Sequence, residues 1–284
     1  MFIQIAIGFI ISTAIGFAAY RKAALSKSGV IGAMLTGTAI FGFGGWIWGM
    51  LLISFFILSS LLSNYKARFK EALAEKFAKG TRRDLGQALA NGGGGALLAL
   101  IYAIVPHPAL FFAFAGAMAT VNADTWATEI GVLSKRPPRL ITTGEVVERG
   151  TSGGVSGLGT LATLGGGFVM GLIAALFITA DALFGGPGPA LTGSERYTPV
   201  IALPLVAALS GVAGSFCDSL LGATVQAIYY APGRQKETEK VIDPDGTPNQ
   251  HIRGWRWLNN DWVNFISSLA GAGVGALAWA CLSI

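Results

Sequence analysis

The sequence predicts an all-α, multi-pass integral membrane protein with about eight transmembrane helices and both termini on the non-cytoplasmic side. Three observations carry that prediction. Of 284 residues, 52% are hydrophobic and only 12% are charged, where soluble domains carry about 25% charged residues. The mean hydropathy is +0.59. Those few charges are also segregated, with 19 of the 20 Lys and Arg residues in alternate segments between apolar runs. This composition excludes a soluble enzyme, a disordered tail and a fibrous repeat. The 40 glycines follow no regular period, which excludes collagen and suits membrane helices whose backbones approach closely.

Apolar runs place the spans at about 1–20, 29–44, 46–63, 86–105, 109–132, 157–180, 199–230 and 261–283. The first run has no basic segment before it and is followed by Arg21 and Lys22, so it reads as an uncleaved span and not a signal peptide. Val30 to Ser63 is too long for one crossing, and Gly42, Gly44 and Gly45 are the natural place for a tight turn between spans two and three. In 64–85, Phe69, Leu73 and Phe77 recur every four residues among lysines, the pattern of a cytoplasmic amphipathic helix lying on lipid.

Spans five and six are joined by a cytoplasmic loop, 133–156, and spans seven and eight by another, 231–260. In the latter, Asp243-Pro244-Asp245-Gly246 reads as a solvated turn. The Gly- and Pro-rich loop 183–198 lies outside. Residues 1–284 form one integral domain. Because short cytoplasmic loops collect Lys and Arg, the net charge of +5 reports topology and not nucleic-acid binding. Cys217 and Cys281 lie in apolar runs, and His107 and His251 are isolated, so neither a disulfide framework nor a thiolate or imidazole metal site is expected.

An ionisable group inside a span is costly and marks a functional candidate. Three acids qualify: Asp124, Glu129 and Asp218. Asp124 and Thr128 are neighbours on one helix face, with Thr125 and Glu129 as the adjacent pair. Other polar clusters fall at the same membrane side. Gln87 and Asn91 open span four ahead of Gly92 to Gly95, and Asn259 to Asp261 with Asn264 open span eight. Between spans five and six run Ile141-Thr142-Thr143-Gly144 and the Gly, Ser and Thr loop from Gly150 to Thr160. Free N–H groups and hydroxyls of that kind suit phosphate. Carboxylates, hydroxyls, open backbone and cations together suit a Mg²⁺-bound phosphate. Ala123-Asp124-Thr125 and Cys217-Asp218-Ser219 form a faint internal echo.

The segments Leu89-Ala-Asn-Gly-Gly93, Ala123-Asp-Thr-Trp-Ala-Thr-Glu-Ile-Gly131, Ile141-Thr-Thr-Gly144, Gly150-Thr-Ser-Gly-Gly-Val-Ser156, Gly214-Ser215 with Asp218-Ser-Leu-Leu-Gly-Ala-Thr224, and Asn260-Asp-Trp-Val-Asn264 stand in this order. Together they resemble the transmembrane protein 19 family, which includes plant and cyanobacterial phytyl-phosphate kinases. They follow the family order over nearly the whole chain. At the position of Ser152, members often carry Asn or another polar side chain.

The resemblance implies a kinase converting an isoprenyl, phytyl-like monophosphate to its diphosphate with Mg²⁺ and a nucleoside triphosphate, CTP favoured. Asp124, Glu129 and Asp218 would be the catalytic residues and would hold Mg²⁺. Substrate and phosphate would be held by Asn91, Thr128, Arg139, Thr142, Thr143, Arg149, Gly150, Thr151, Ser152, Gly153, Gly154, Ser156, Ser219, Asn260 and Asn264. The expected partners are the prenyl phosphate and the bilayer of a bacterial cell membrane or thylakoid-type membrane, with no nucleic acid. Two other classes stay open. A transporter also uses intramembrane acids, although its site sits near the midplane and the outer half here holds little beyond Ser and Thr. A cytidylyltransferase acting on a lipid phosphate would need the same groups.

Overall fold

A computed structural model describes residues 2–65, 82–186, 197–243 and 245–283. Eight helical runs cross it in alternating directions. They are α1 (Phe2–Arg21), α2 (Lys27–Ala39, continued by a π-helical turn over Ile40–Gly44), α3 (Trp46–Asn64), α4 (Leu85–Ile104), α5 (Pro108–Gly131), α6 (Gly157–Leu183), α7 (Tyr197–Thr224) and α8 (Asn260–Leu282). α1, α3, α4, α6, α8 and α7 from Pro199 are long and apolar enough to cross a membrane. α2 ends where glycine punctuation predicts a turn: Gly45 takes φ +98°, a left-handed conformation that a side chain would strain.

α5 is the centre of the molecule. Every residue from Phe111 to Ala123 is buried, and α3, α4, α6, α7 and α8 all pack on it. Its 24 residues span about 36 Å at 1.5 Å per residue, long enough to cross. Its companions shield it from lipid, so it can carry the Asn, Asp and Glu that a lipid-facing helix could not. Trp48 of α3 anchors one side, stacked on Phe114 at 4.3 Å between ring centroids. On the other side small residues bring backbones together: a Cβ on Gly166 of α6 would lie 3.0 Å from Ala123 Cα. The outer helix faces are the reverse of a soluble surface. Ile3, Ile10, Leu161, Leu176, Ile201, Leu205 and Leu209 are all exposed, as a surface solvated by lipid requires.

The ends of α1, α3, α5 and α7 and the starts of α2, α4, α6 and α8 gather at one end of the bundle, here called the basic end. Contacts between them show this directly. Ser26 N–H donates to the Arg83 carbonyl at 2.9 Å, Ser63 reaches Glu129, Gly131 lies against Gly159, and Trp255 N–H donates to the Val225 carbonyl at 2.8 Å.

Three details differ from the sequence reading. Span seven is shorter than 199–230, because α7 stops at Thr224 and the chain turns into a strand. The segment 231–256 is not a simple solvated loop. β3 (Ile228–Ala231), β4 (Lys236–Thr238) and β5 (Gln250–Arg253) form an antiparallel sheet in the order β4-β3-β5. Asp243 is buried against it, held by Arg234 through Nη2–Oδ1 at 2.5 Å and Nε–Oδ2 at 2.9 Å. A second ribbon pairs β1 (Arg139–Leu140) with β2 (Gly154–Val155). Third, the opposite end of the bundle holds a buried acid that the sequence reading did not single out. Asp181 in the last turns of α6 accepts from Trp46 Nε1 at 2.7 Å, a position that the expected end of span six at 180 excluded. Most of the amphipathic segment 64–85, and most of the loop 183–198, lie outside the described residues.

Candidate functional site

The site is built on α5 where its buried apolar stretch gives way to polar residues. Asp124 and Glu129 are five residues apart, which on an α-helix separates their side chains by about 140°. They therefore meet different neighbours. Asp124 faces α7, where Ser215 Oγ donates to its Oδ1 at 3.3 Å. Asp218, one turn further along α7, is close enough to interact electrostatically with Asp124. Asp218 Oδ2 is buried without a hydrogen-bond partner among the described residues. Ser267 of α8 stands near enough to influence that carboxylate but makes no hydrogen bond of normal geometry with it.

Glu129 points the other way. Its Oε1 accepts from Ser63 Oγ of α3 at 2.7 Å, and it interacts electrostatically with Arg83, whose Nη1 donates to Ser60 Oγ at 3.1 Å. Burial pushes the Arg83 guanidinium down from its ordinary value, and the Glu129 charge pushes it back up. The three-acid cluster expected from the sequence is therefore a pair, Asp124 with Asp218, and a separate Glu129. Among the described residues no three of His, Cys, Asp and Glu come together as a metal site.

The Gly- and Ser-rich loop is seated beside the acid pair. One turn beyond Asp218, Gly222 lies under Ser152, whose Oγ would be 2.7 Å from a Cβ placed there. Ser152 donates to Gln226 Oε1 at 3.0 Å, and Gln226 Nε2 in turn donates to Glu239 Oε1 at 2.8 Å. Glu239 also lies within electrostatic reach of Asp218. Gly153 takes φ +82° and packs so tightly on α7 that a Cβ would lie 2.6 Å from Ala223 N. Only glycine combines that conformation with that approach. Ser156 caps α6, accepting from Gly159 N–H at 3.1 Å.

The remaining candidates are placed as follows. Arg139 Nη1 donates to the Gly144 carbonyl at 2.8 Å, and Arg149 Nη2 to the Ser134 carbonyl at 2.6 Å, so both brace the loop that carries them. Thr142 and Thr143 are exposed, and Thr143 bonds within its own turn. Gly150 takes φ +78°, and Thr151 and Gly154 close the following turn, Gly154 N–H donating to the Thr151 carbonyl at 3.0 Å. Thr128 is exposed, and Ser219 and Asn264 are half-buried. Asn260 begins α8 while Asn259 caps it, accepting from Asp261 and Trp262 N–H. Asn91 lines a cavity among α1 to α4.

Sequence reasoning missed Gln226 and Glu239 as parts of the site. It counted Arg83 only as a topological charge. Ser215 was visible in Gly214-Ser215, but its partner was not. Ser63, Gln226 and Glu239 have no local signal, because each acts through a residue distant in sequence.

A family model described as "Integral membrane protein DUF92" matches residues 10–272. Protein PGR of Arabidopsis thaliana is 34% identical over 274 residues, covering 92% of this chain and 91% of its own length. An uncharacterized membrane protein of Methanocaldococcus jannaschii is 32% identical over 265 residues, 92% of this chain and 89% of that one. The chloroplastic protein VTE6 of Arabidopsis thaliana is 27% identical over 258 residues, 89% of this chain and 65% of its own. No solved structure matches.

Proposed function

This chain belongs to the DUF92 family of integral membrane proteins, and on that premise we propose that it is a kinase. It adds a phosphoryl group from a nucleoside triphosphate, CTP favoured, to a prenyl monophosphate at the basic end of the bundle. By the positive-inside rule that end is cytoplasmic. The motif resemblance to phytyl-phosphate kinases supports the substrate class.

The observation that carries the reading is the meeting of Asp124 and Asp218 from two helices, beside a phosphate-type loop. Two carboxylates this close in a low-dielectric interior repel unless a proton or a cation lies between them. An orphaned buried oxygen on Asp218 and an all-oxygen donor set fit Mg²⁺, with Asp124 and Asp218 as the residues that would hold it. When bound, the ion would offset the charge of the triphosphate. Ser215 orients Asp124, and the Ser152–Gln226–Glu239 chain holds the loop against α7. A phosphate monoester is already an anionic nucleophile at neutral pH, so alignment and charge neutralisation are the chemistry the residues must supply. No general base is required.

The test is purified protein with Mg²⁺, labelled nucleoside triphosphates and a panel of prenyl monophosphates. Prenyl diphosphate is the expected product, lost in Asp124→Asn and Asp218→Asn while folded protein is retained. Near-normal turnover in both variants overturns the assignment. Release of pyrophosphate with a nucleotidyl lipid would make the protein a nucleotidyltransferase instead.

A further inference from the structure

The four helices α1 to α4 line a partly open cavity. It runs from Arg83, two residues before α4, to Gly92 on α4 and from Phe56 back to Gly49 along α3, a depth of about 12 Å at 1.5 Å per residue. Its wall is apolar for most of that depth, with Ile11, Leu52 and Ile53 among the lining residues. Its polar lining groups are Arg83 just before α4, Gln87 and Asn91 successively deeper on α4, Ser12 on α1 and Thr36 on α2. A largely apolar wall whose one charged lining residue, Arg83, stands at the basic end suits a single lipid chain with an anionic head.

The mouth is also prepared for such a head. Arg83 is positioned by Ser60 and lies over the Phe56 ring at 5.7 Å, and a guanidinium has five N–H donors in all. Gln87 is half committed, since its Oε1 accepts from Asp84 N–H in a capping box. Glu129 on α5 stands beside Arg83, so a head group at the mouth lies against the polar end of the helix that carries Asp124.

We infer that this cavity is the chain-binding site of a single-chain lipid phosphate, with the chain between α1, α2, α3 and α4 and the phosphate at Arg83. The identification of the lipid as the substrate rests on the kinase reading above; the cavity as a lipid-phosphate site does not.

Photolabelling tests it. Purified protein in nanodiscs is exposed to a farnesyl monophosphate analogue carrying a diazirine in its chain, and labelled peptides are mapped by mass spectrometry. Label is expected on the cavity-lining parts of α1 to α4. Unlabelled prenyl monophosphate should compete it away, with prenyl alcohol at least tenfold weaker. Ala33→Phe and Ile53→Trp, which fill the cavity from two different helices, should each reduce labelling tenfold or more. Arg83→Gln should erase the preference for phosphate over alcohol. Asp124→Asn should label normally. Label confined to the outer helix faces, or unchanged by both filling variants, overturns the inference. So does equal competition by two-chained phosphatidic acid, which would mark a general bilayer-lipid site. Cavity labelling without turnover by any nucleotide would sink the kinase reading alone; normal turnover in both filling variants would sink the cavity alone.

Discussion

The Ser215 hydroxyl on α7 donates to Asp124 Oδ1 on α5 across 3.3 Å. Ser215 is buried, so the bond joins the two acid-bearing helices in the interior. Ser215 thus sets the angle at which Asp124 faces Asp218. Hydrogen bonds to charged groups contribute about 1.5–3 kcal/mol, and 1.4 kcal/mol is about tenfold in rate. Ser215→Ala is therefore expected to lower turnover by roughly tenfold or more, less than Asp124→Asn, with the protein still eluting as a folded species in detergent. Turnover equal to the unsubstituted protein would show that Asp124 needs no such positioning.

Glu129 belongs to a different group of residues from the acid pair, and Mg²⁺ titration separates the two. Glu129→Gln should leave the Mg²⁺ concentration for half-maximal activity unchanged while raising the KM for the lipid substrate, because the residue it adjoins is Arg83. Asp218→Asn should shift the Mg²⁺ requirement tenfold or more. An equal shift in both variants would mean that the three acids share one ion.

Asp181 and Trp46 pin α6 to α3 at the end of the bundle away from the site. Asp181→Asn keeps the shape and removes the charge, so it should weaken a bond in the range of about 1.5–3 kcal/mol. Thermal unfolding in detergent should begin several degrees lower, while turnover at low temperature stays within about twofold. Lost activity at unchanged stability would instead give Asp181 a functional role.

Asp243 gives the sheet beyond α7 a pH dependence of known sign. The Arg234 hydrogen bonds, with further help from Asn249 and Lys240, hold its carboxyl below the usual value. A carboxyl lowered by folding contributes stability that is fully present above its unfolded value, about 3.9, and is lost as pH falls through the lower folded value. Hydrogen-exchange protection in 228–253, measured against the unstructured chain at the same pH, should therefore be constant from pH 7 to about 4.5 and fall below about 4. In Asp243→Asn protection should be lower at neutral pH and should lack the acid-dependent step.

Most of the helical architecture was legible because lipid imposes a simple rule. Every helix exposed to it must be apolar along its length, and every charged stretch must fall between helices. The expected spans 46–63, 86–105 and 109–132 correspond to Trp46–Asn64, Leu85–Ile104 and Pro108–Gly131, and the turn at Gly45 fell where glycines cluster. The sheet after α7 was not legible, because Ile228-Tyr229-Tyr230-Ala231 continues the apolar run and only its pairing with two polar strands makes it a strand. Asp181 was overlooked because it lies at a helix end, where an acid is ordinarily solvated.

For the site, the sequence by itself determined which residues were costly enough to need a reason: Asp124, Glu129 and Asp218 in apolar runs, and a loop whose glycines leave backbone exposed. Residue type and hydropathy suffice for that. Only the tertiary structure decided which of them meet. The 3.6-residue period turns Glu129 about 140° from Asp124, and the packing of α7 on α5 brings Asp218 beside Asp124 from 94 positions away. Spacing along one helix is set by local geometry, but partnership between helices is set by how small residues such as Gly166 and Gly214 let their backbones approach, and no local pattern carries that.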